Sequence, residues 1–175
     1  MKYHFKLKNG LNVLAIRREN LKGIYLIARV KVGHFYDPKG KHGLAHFLEH
    51  LLAQGTKNFP TPTLLASFVE SLGGYFNLRT SDDCLDVILN LPSNYLPEAI
   101  FIVKEILFEP LFNNFQKEKH VILQEMKERK QSLGFKLLSF LKKSIFKKDS
   151  LLLYPIYTAD ERYLNNISEK DIINH

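Results

Sequence analysis

Two histidines and a glutamate lie inside a nine-residue run, Leu44 to Leu52, whose other members are all apolar. At about 100° per helical residue, His46 and His50 fall one turn and roughly 40° apart, and Glu49 lies within about 100° of both. Leu44, Phe47, Leu48, Leu51 and Leu52 require burial, so they carry the three polar groups toward the interior. Polar groups buried without partners cost about 2–7 kcal/mol each. The fold must therefore bring something to meet them. Two surface histidines beside a charged neighbour would not need so apolar a helix. Two neutral imidazoles at i and i+4 make a bidentate zinc clamp, and a carboxylate beside them can hold and deprotonate a water at the metal. The order His-x-x-Glu-His reverses that of the zincin motif.

Zinc chemistry of this kind needs a third protein ligand and an open position. A helix predicted from about 114 to 131 carries Glu118, Glu125 and Glu128. Glu118 and Glu125 are two turns apart and share a face with Val121 and Ile122 between them. One could bind the metal while the other steadies a ligand. The alternative is a pair of exposed acids among Lys117, Lys119 and Lys127, and spacing alone does not choose between them.

The remaining pattern predicts an α+β fold: a two-layer domain with a mixed, mostly antiparallel sheet packed against helices. Tyr3 to Lys8 and Leu11 to Ile16 read as a hairpin around a two-residue Asn9-Gly10 turn. Gly23 to Val32 reads as a mostly buried strand. Thr61-Pro62 opens a helix that Gly73-Gly74 ends. Tyr75 to Thr80 and Cys84 to Leu91 read as strands, and helices are predicted over 97–108, 114–131 and 135–146. The tail from Tyr154 is turn-rich, and Ser168 opens a helix start that the chain does not finish. That unfinished element points to a single domain, residues 1–175, at the front of something longer.

Three segments together resemble one known family. Gly43-Leu44-Ala45-His46-Phe47-Leu48-Glu49-His50-Leu51-Leu52-Ala53-Gln54-Gly55-Thr56 looks like the signature of the pitrilysin, insulysin and mitochondrial processing peptidase family of inverted zincins. So do Gly73-Gly74 followed by Asn77-Leu78-Arg79-Thr80-Ser81, and the run Glu118 to Met126. They stand in the family's order and spacing, and the similarity extends across nearly the whole chain. The resemblance implies a zinc endopeptidase acting on extended or unstructured peptides. It implies Zn2+ held by His46, His50 and Glu125, with Glu49 as general base and Glu118 supporting the site without ligating. It also implies an edge strand through Asn77, Leu78, Arg79 and Thr80 on which the peptide lies as an added strand. Ala53 stands where the family often has Phe, and Leu78 where it often has Ala. Both positions lie near the family's pocket for a side chain beside the scissile bond. Members usually have two related α+β domains per half, and the later ones supply groups that bind substrate and oxyanion. The resemblance therefore implies a second related domain or subunit as partner. The chain alone is expected to fold, bind metal and cleave poorly. The family also contains core proteins that keep the fold and lose cleavage.

The formal net charge of +7 looks like a nucleic-acid signal until it is mapped. Residues 127–148 hold eight Lys/Arg and one acid; taking these from totals of 25 and 18 leaves 17 of each sign elsewhere. No stacking motif or phosphate loop accompanies the run, so no nucleic-acid partner is expected. Leu137, Leu138, Phe140, Leu141 and Phe146 make it amphipathic, which predicts core packing or a docked domain rather than membrane binding. No apolar run approaches the roughly 20 residues of a membrane span. No signal peptide is visible, which predicts a cytoplasmic chain of bacterial type. Cys84 reads as a small core residue. A second metal site at His34, Asp37 and His42 is not expected, nor is ligation by His120.

Overall fold

The computed structural model describes residues 1–148, 150–153 and 161–175. Its centre is β5, Leu85–Pro92, flanked by β3, Gly23–Val30, and β4, Tyr75–Thr80, in the order β3-β5-β4. Both pairings are antiparallel, with Val87 opposite Ala28 and Leu78, and Leu89 opposite Leu26 and Phe76. Because side chains alternate, these rows face the helices. Leu65 and Val69 of α2, Pro62–Ser71, and Ala99, Ile102 and Ile106 of α3, Leu96–Phe108, close over them. The opposite rows include Arg29, Asp86 and Arg79 in register across the three strands. Asp86 is fully buried there and accepts from Arg29 Nε and Nη2 at 2.7 and 2.8 Å and from Arg79 Nη2 at 2.8 Å. The Arg29 hydrogen bonds, against the cost of burial, hold its carboxyl down to about 2.

The α+β plan of a sheet packed against helices is the one expected, and among the described residues every strand pairing is antiparallel rather than mixed. Strand β3 is half exposed rather than mostly buried, with Tyr25 and Ile27 on the surface, because it is an edge strand with one face uncovered. Strands β1, Lys2–Lys6, and β2, Asn12–Ile16, form a separate exposed two-stranded sheet. Their turn has three residues rather than two: Leu7 N–H donates to Leu11 O, and Gly10 N–H to Leu7 O. Gly10 has φ 91° and Asn9 stays out of the left-handed region, so this is a type I turn closed by a left-handed glycine.

The expected helices are present with small shifts in their ends. The metal-motif helix α1 runs Leu44–Leu52. Thr61 caps α2 through Leu64 N–H, and Pro62 fits its first position. Helix α4, Phe115–Gln131, follows Asn114 in the left-handed conformation at φ 64°. Residues 154–160, where a turn-rich tail is expected, lie outside the described residues. From 161 the tail forms two short helices, α6, Glu161–Asn165, and α7, Glu169–Asn174, the second opened by a reciprocal Ser168–Asp171 capping box.

A second core holds α1 in place. Leu44, Phe47 and Leu51 pack with Phe115, Ile122 and Met126 of α4 and with Leu164, Ile167 and Ile172 of the tail. Leu52 joins the sheet-side core instead. Helix α1 is thus wedged between two cores, which is why it is apolar on nearly every side. Burying each such large side chain contributes about 1.5–3 kcal/mol, and the cost of carrying polar groups inward is reduced because His50 and Glu49 meet partners there. Beyond α1, buried Glu105 of α3 accepts from Thr56 Oγ1, Asn58 N and Asn58 Nδ2 and pins the following loop. Burial opposes its charge, but those hydrogen bonds hold its carboxyl below the usual glutamate value.

The basic segment does not pack as core. Helix α5, Leu133–Ile145, buries none of its residues, and Leu133, Phe140 and Ile145 are exposed. Among the described residues, no helix is long and apolar enough to cross a membrane.

Candidate metal centre

Three elements meet at the polar face of α1. His46 and His50 project toward α4, and their Nε2 atoms lie 3.2 Å apart. Glu125 Oε2 of α4 lies 3.4 Å from His50 Nε2 and 3.8 Å from His46 Nε2. Zinc bonded tetrahedrally at about 2.0–2.1 Å separates its ligand atoms by roughly 3.3–3.4 Å. The three separations bracket that value. Among the described residues, these three form the group of His, Cys, Asp and Glu side chains close enough to share an ion.

The donor chemistry fits as well. Buried Glu118 places Oε2 3.1 Å from His50 Nδ1, so the carboxylate accepts the Nδ1 proton and Nε2 presents its lone pair toward the cluster. Burial, then the neighbouring charges of His50, His34 and Arg129, pushes the His46 imidazole down to about 3. It is neutral across the ordinary pH range, as a metal ligand must be. Glu118 and Glu125, equivalent by spacing, are separated by exposure: Glu118 is buried against His50, and the Glu125 side chain is 48% exposed and faces both Nε2 atoms.

Glu49 does not join the three. Its Oε2 accepts from the Thr80 backbone N–H at 2.7 Å, which ties the α1 carboxylate to β4. Strand β4 is one of the two outer strands of its sheet, and Ser81 N–H donates to Cys84 O across its turn. Backbone groups alternate in an antiparallel pair, so Thr80, Leu78 and Phe76 direct theirs away from β5. Thr80 uses its N–H on Glu49. A cleft of about 410 Å³ lies here, bordered by His46, Glu49, Leu78, Thr80, Glu125 and Arg129.

The other expected contact residues are placed differently. Arg79 borders the cleft, but its guanidinium bonds Asp86 on the far face of the sheet. Asn77 lies in the row opposite Ile88, on that same far face, and is exposed. Ala53 caps the end of α1 and packs against the sheet-side core. His120 bonds the Gln116 carbonyl on the outside of α4. Cys84 is buried, and burial raises its thiol pKa.

Asp37 has a role the sequence did not show. Gly43, the residue before α1, has no side chain to cap it. Buried Asp37 reaches back instead and accepts from Gly43 N at 2.7 Å and Ala45 N at 2.8 Å. A carboxylate there satisfies free N–H groups and suits the positive end of the helix. The tail reinforces this end: Lys41 pairs with Asp171, and His42 packs edge-on against Tyr163. Asp37→Ala is expected to destabilise the chain by about 1–2 kcal/mol, the usual worth of a lost cap. Urea unfolding measures it, and an unchanged midpoint would mean that the cap is dispensable.

The family model for Insulinase (Peptidase family M16) matches residues 13–157. The chain belongs to this family. An uncharacterized zinc protease of Rickettsia bellii is 31% identical over 148 residues, 83% of this chain and 36% of that protein. The crystal structure of a protease from Helicobacter pylori superposes with a TM-score of 0.87 at 25% identity, covering 99% of this chain and 42% of that one. An inactive peptidase M16 domain from Pseudomonas fluorescens superposes at 0.86 with 18% identity, a likeness of fold alone. The chain therefore spans 36–42% of the length of these relatives.

Proposed function

We propose that the chain is the metal-binding domain of a zinc-dependent endopeptidase that cuts extended or unstructured peptides. The observation that carries this is the convergence of His46, His50 and Glu125 beside a second carboxylate, Glu49, at an outer strand. His46, His50 and Glu125 would hold the zinc, and Glu118 would keep His50 in the correct tautomer. When bound, zinc supplies Lewis acidity toward the scissile carbonyl and acidifies water. Glu49 takes the proton from the attacking water and returns it to the leaving amine. The Thr80 hydrogen bond keeps the Glu49 carboxylate oriented for both transfers. Leu78 and Phe76 offer free strand-edge groups to a peptide backbone, a mode of binding with little regard for sequence.

The site is not enclosed. His46 is 30% exposed and Glu125 48% exposed, and water at this level weakens electrostatic stabilisation. A second related domain or subunit, matching the greater length of the relatives, would close the cleft and add donors to the oxyanion. We expect the purified 175-residue chain to bind zinc but turn over a flexible fluorogenic peptide poorly. Adding the missing portion should raise turnover by about 10²–10³, the usual worth of an oxyanion donor. Efficient zinc-dependent turnover by the chain alone would overturn the need for a partner. The rival reading is a silent scaffold of the same fold; zinc binding without cleavage in the assembled protein would establish it.

A further inference from the structure

Arg129 is an exposed arginine on the wall of the cleft. It lies one helical turn beyond Glu125 on α4, so both side chains leave the helix on the same face. Its guanidinium carbon stands 5.3 Å from the centre of the Phe135 ring, at the start of α5. Stacking of this kind orients the flat group while leaving its in-plane N–H donors available.

The acids around the cleft do not use those donors. Glu49 is turned to Thr80 N–H, and Glu125 faces the two histidines. Asp82 borders the cleft too, but among the described residues Arg129 forms no ion pair with it or with any other carboxylate. The other bordering arginine, Arg79, is committed to Asp86. The cleft thus presents one oriented guanidinium with unused donors, a turn away from the proposed zinc ligand.

We propose that Arg129 is a specificity-determining residue that binds a carboxylate of the peptide near the bond to be cut. This inference rests on the peptidase reading above. The planar fork matches a carboxylate through two parallel hydrogen bonds. The carboxylate can come from an acidic side chain or from the peptide's own C-terminus, and both present the same chemistry to Arg129.

Fluorescence anisotropy on the zinc-loaded 175-residue chain carrying Glu49→Gln tests this without turnover. The probes are labelled flexible hexapeptides with Glu or Gln at each position in turn, each with a free or an amidated C-terminus. One Glu position should bind about tenfold more tightly than its Gln counterpart, as expected for a charge-assisted pair. If amidation weakens binding about tenfold while the Glu-to-Gln exchanges leave it unchanged, the carboxylate is the terminal one. Arg129→Gln should erase the preference, and Arg129→Glu should turn it toward Lys peptides. Zinc content and circular dichroism check that each variant is folded. Binding in the parent that depends on neither kind of carboxylate, or a dependence that survives Arg129→Gln, overturns the assignment and leaves the peptidase reading standing. Failure of every peptide to bind, both to the chain alone and after the proposed partner domain is added, overturns both.

Discussion

Purified with zinc, the chain is expected to hold one zinc ion per molecule, and His46→Ala is expected to hold none. Elemental analysis after gel filtration measures this. The expectation follows from three donor atoms, separated by 3.2, 3.4 and 3.8 Å, which leave a tetrahedral position open. Removing one imidazole leaves two donors, one of them an exposed carboxylate, and two are too few to hold the ion through gel filtration. Glu125→Ala should behave likewise. Glu118→Gln should instead retain zinc with affinity lowered about 10–100-fold, since it weakens the support of His50 without removing a ligand. Full zinc stoichiometry in His46→Ala would sink the ligand assignment. Equal losses in the Glu118 and Glu125 variants would mean that their roles are not distinct.

The second large effect is chemical. Glu49→Gln keeps the size of the side chain and an oxygen that can still accept from Thr80 N–H, but it cannot take a proton. In the presence of the proposed partner domain or subunit, zinc should remain and peptide cleavage should fall by about 10²–10⁴, the usual worth of a general base. Steady-state kinetics on a flexible peptide, with zinc content determined on the same sample, separates loss of the base from loss of the metal. Activity equal to that of the parent would place the base elsewhere. Comparing Thr80→Pro, which deletes the N–H, would show how much the backbone tether contributes.

The helix of the metal motif was legible in the sequence because its signal is local. Three polar residues at fixed helical spacing in an apolar run specify one face, and the structure returned α1 over the same residues, Leu44–Leu52. The cap of α2 and the strand at Tyr75–Thr80 were equally legible, since Thr61-Pro62 and Gly73-Gly74 act within a few residues of themselves. The turn at Gly10 was not, because Asn-Gly suits both a two-residue and a three-residue connection, and strand register decides between them. Nor was the exposure of β3, because burial belongs to the sheet order and not to the strand. The sequence by itself determined which side chains could form a centre. Spacing left Glu118 and Glu125 equivalent and the family resemblance pointed to Glu125; only the tertiary structure gave the distances from Glu125 to the histidines, showed that Asp37 caps α1 across a loop, and, among the described residues, left Arg129 with unused donors in the cleft. Each depends on the packing of α4 and the tail against α1, a contact between residues dozens of positions apart, and no local spacing encodes the distance between them.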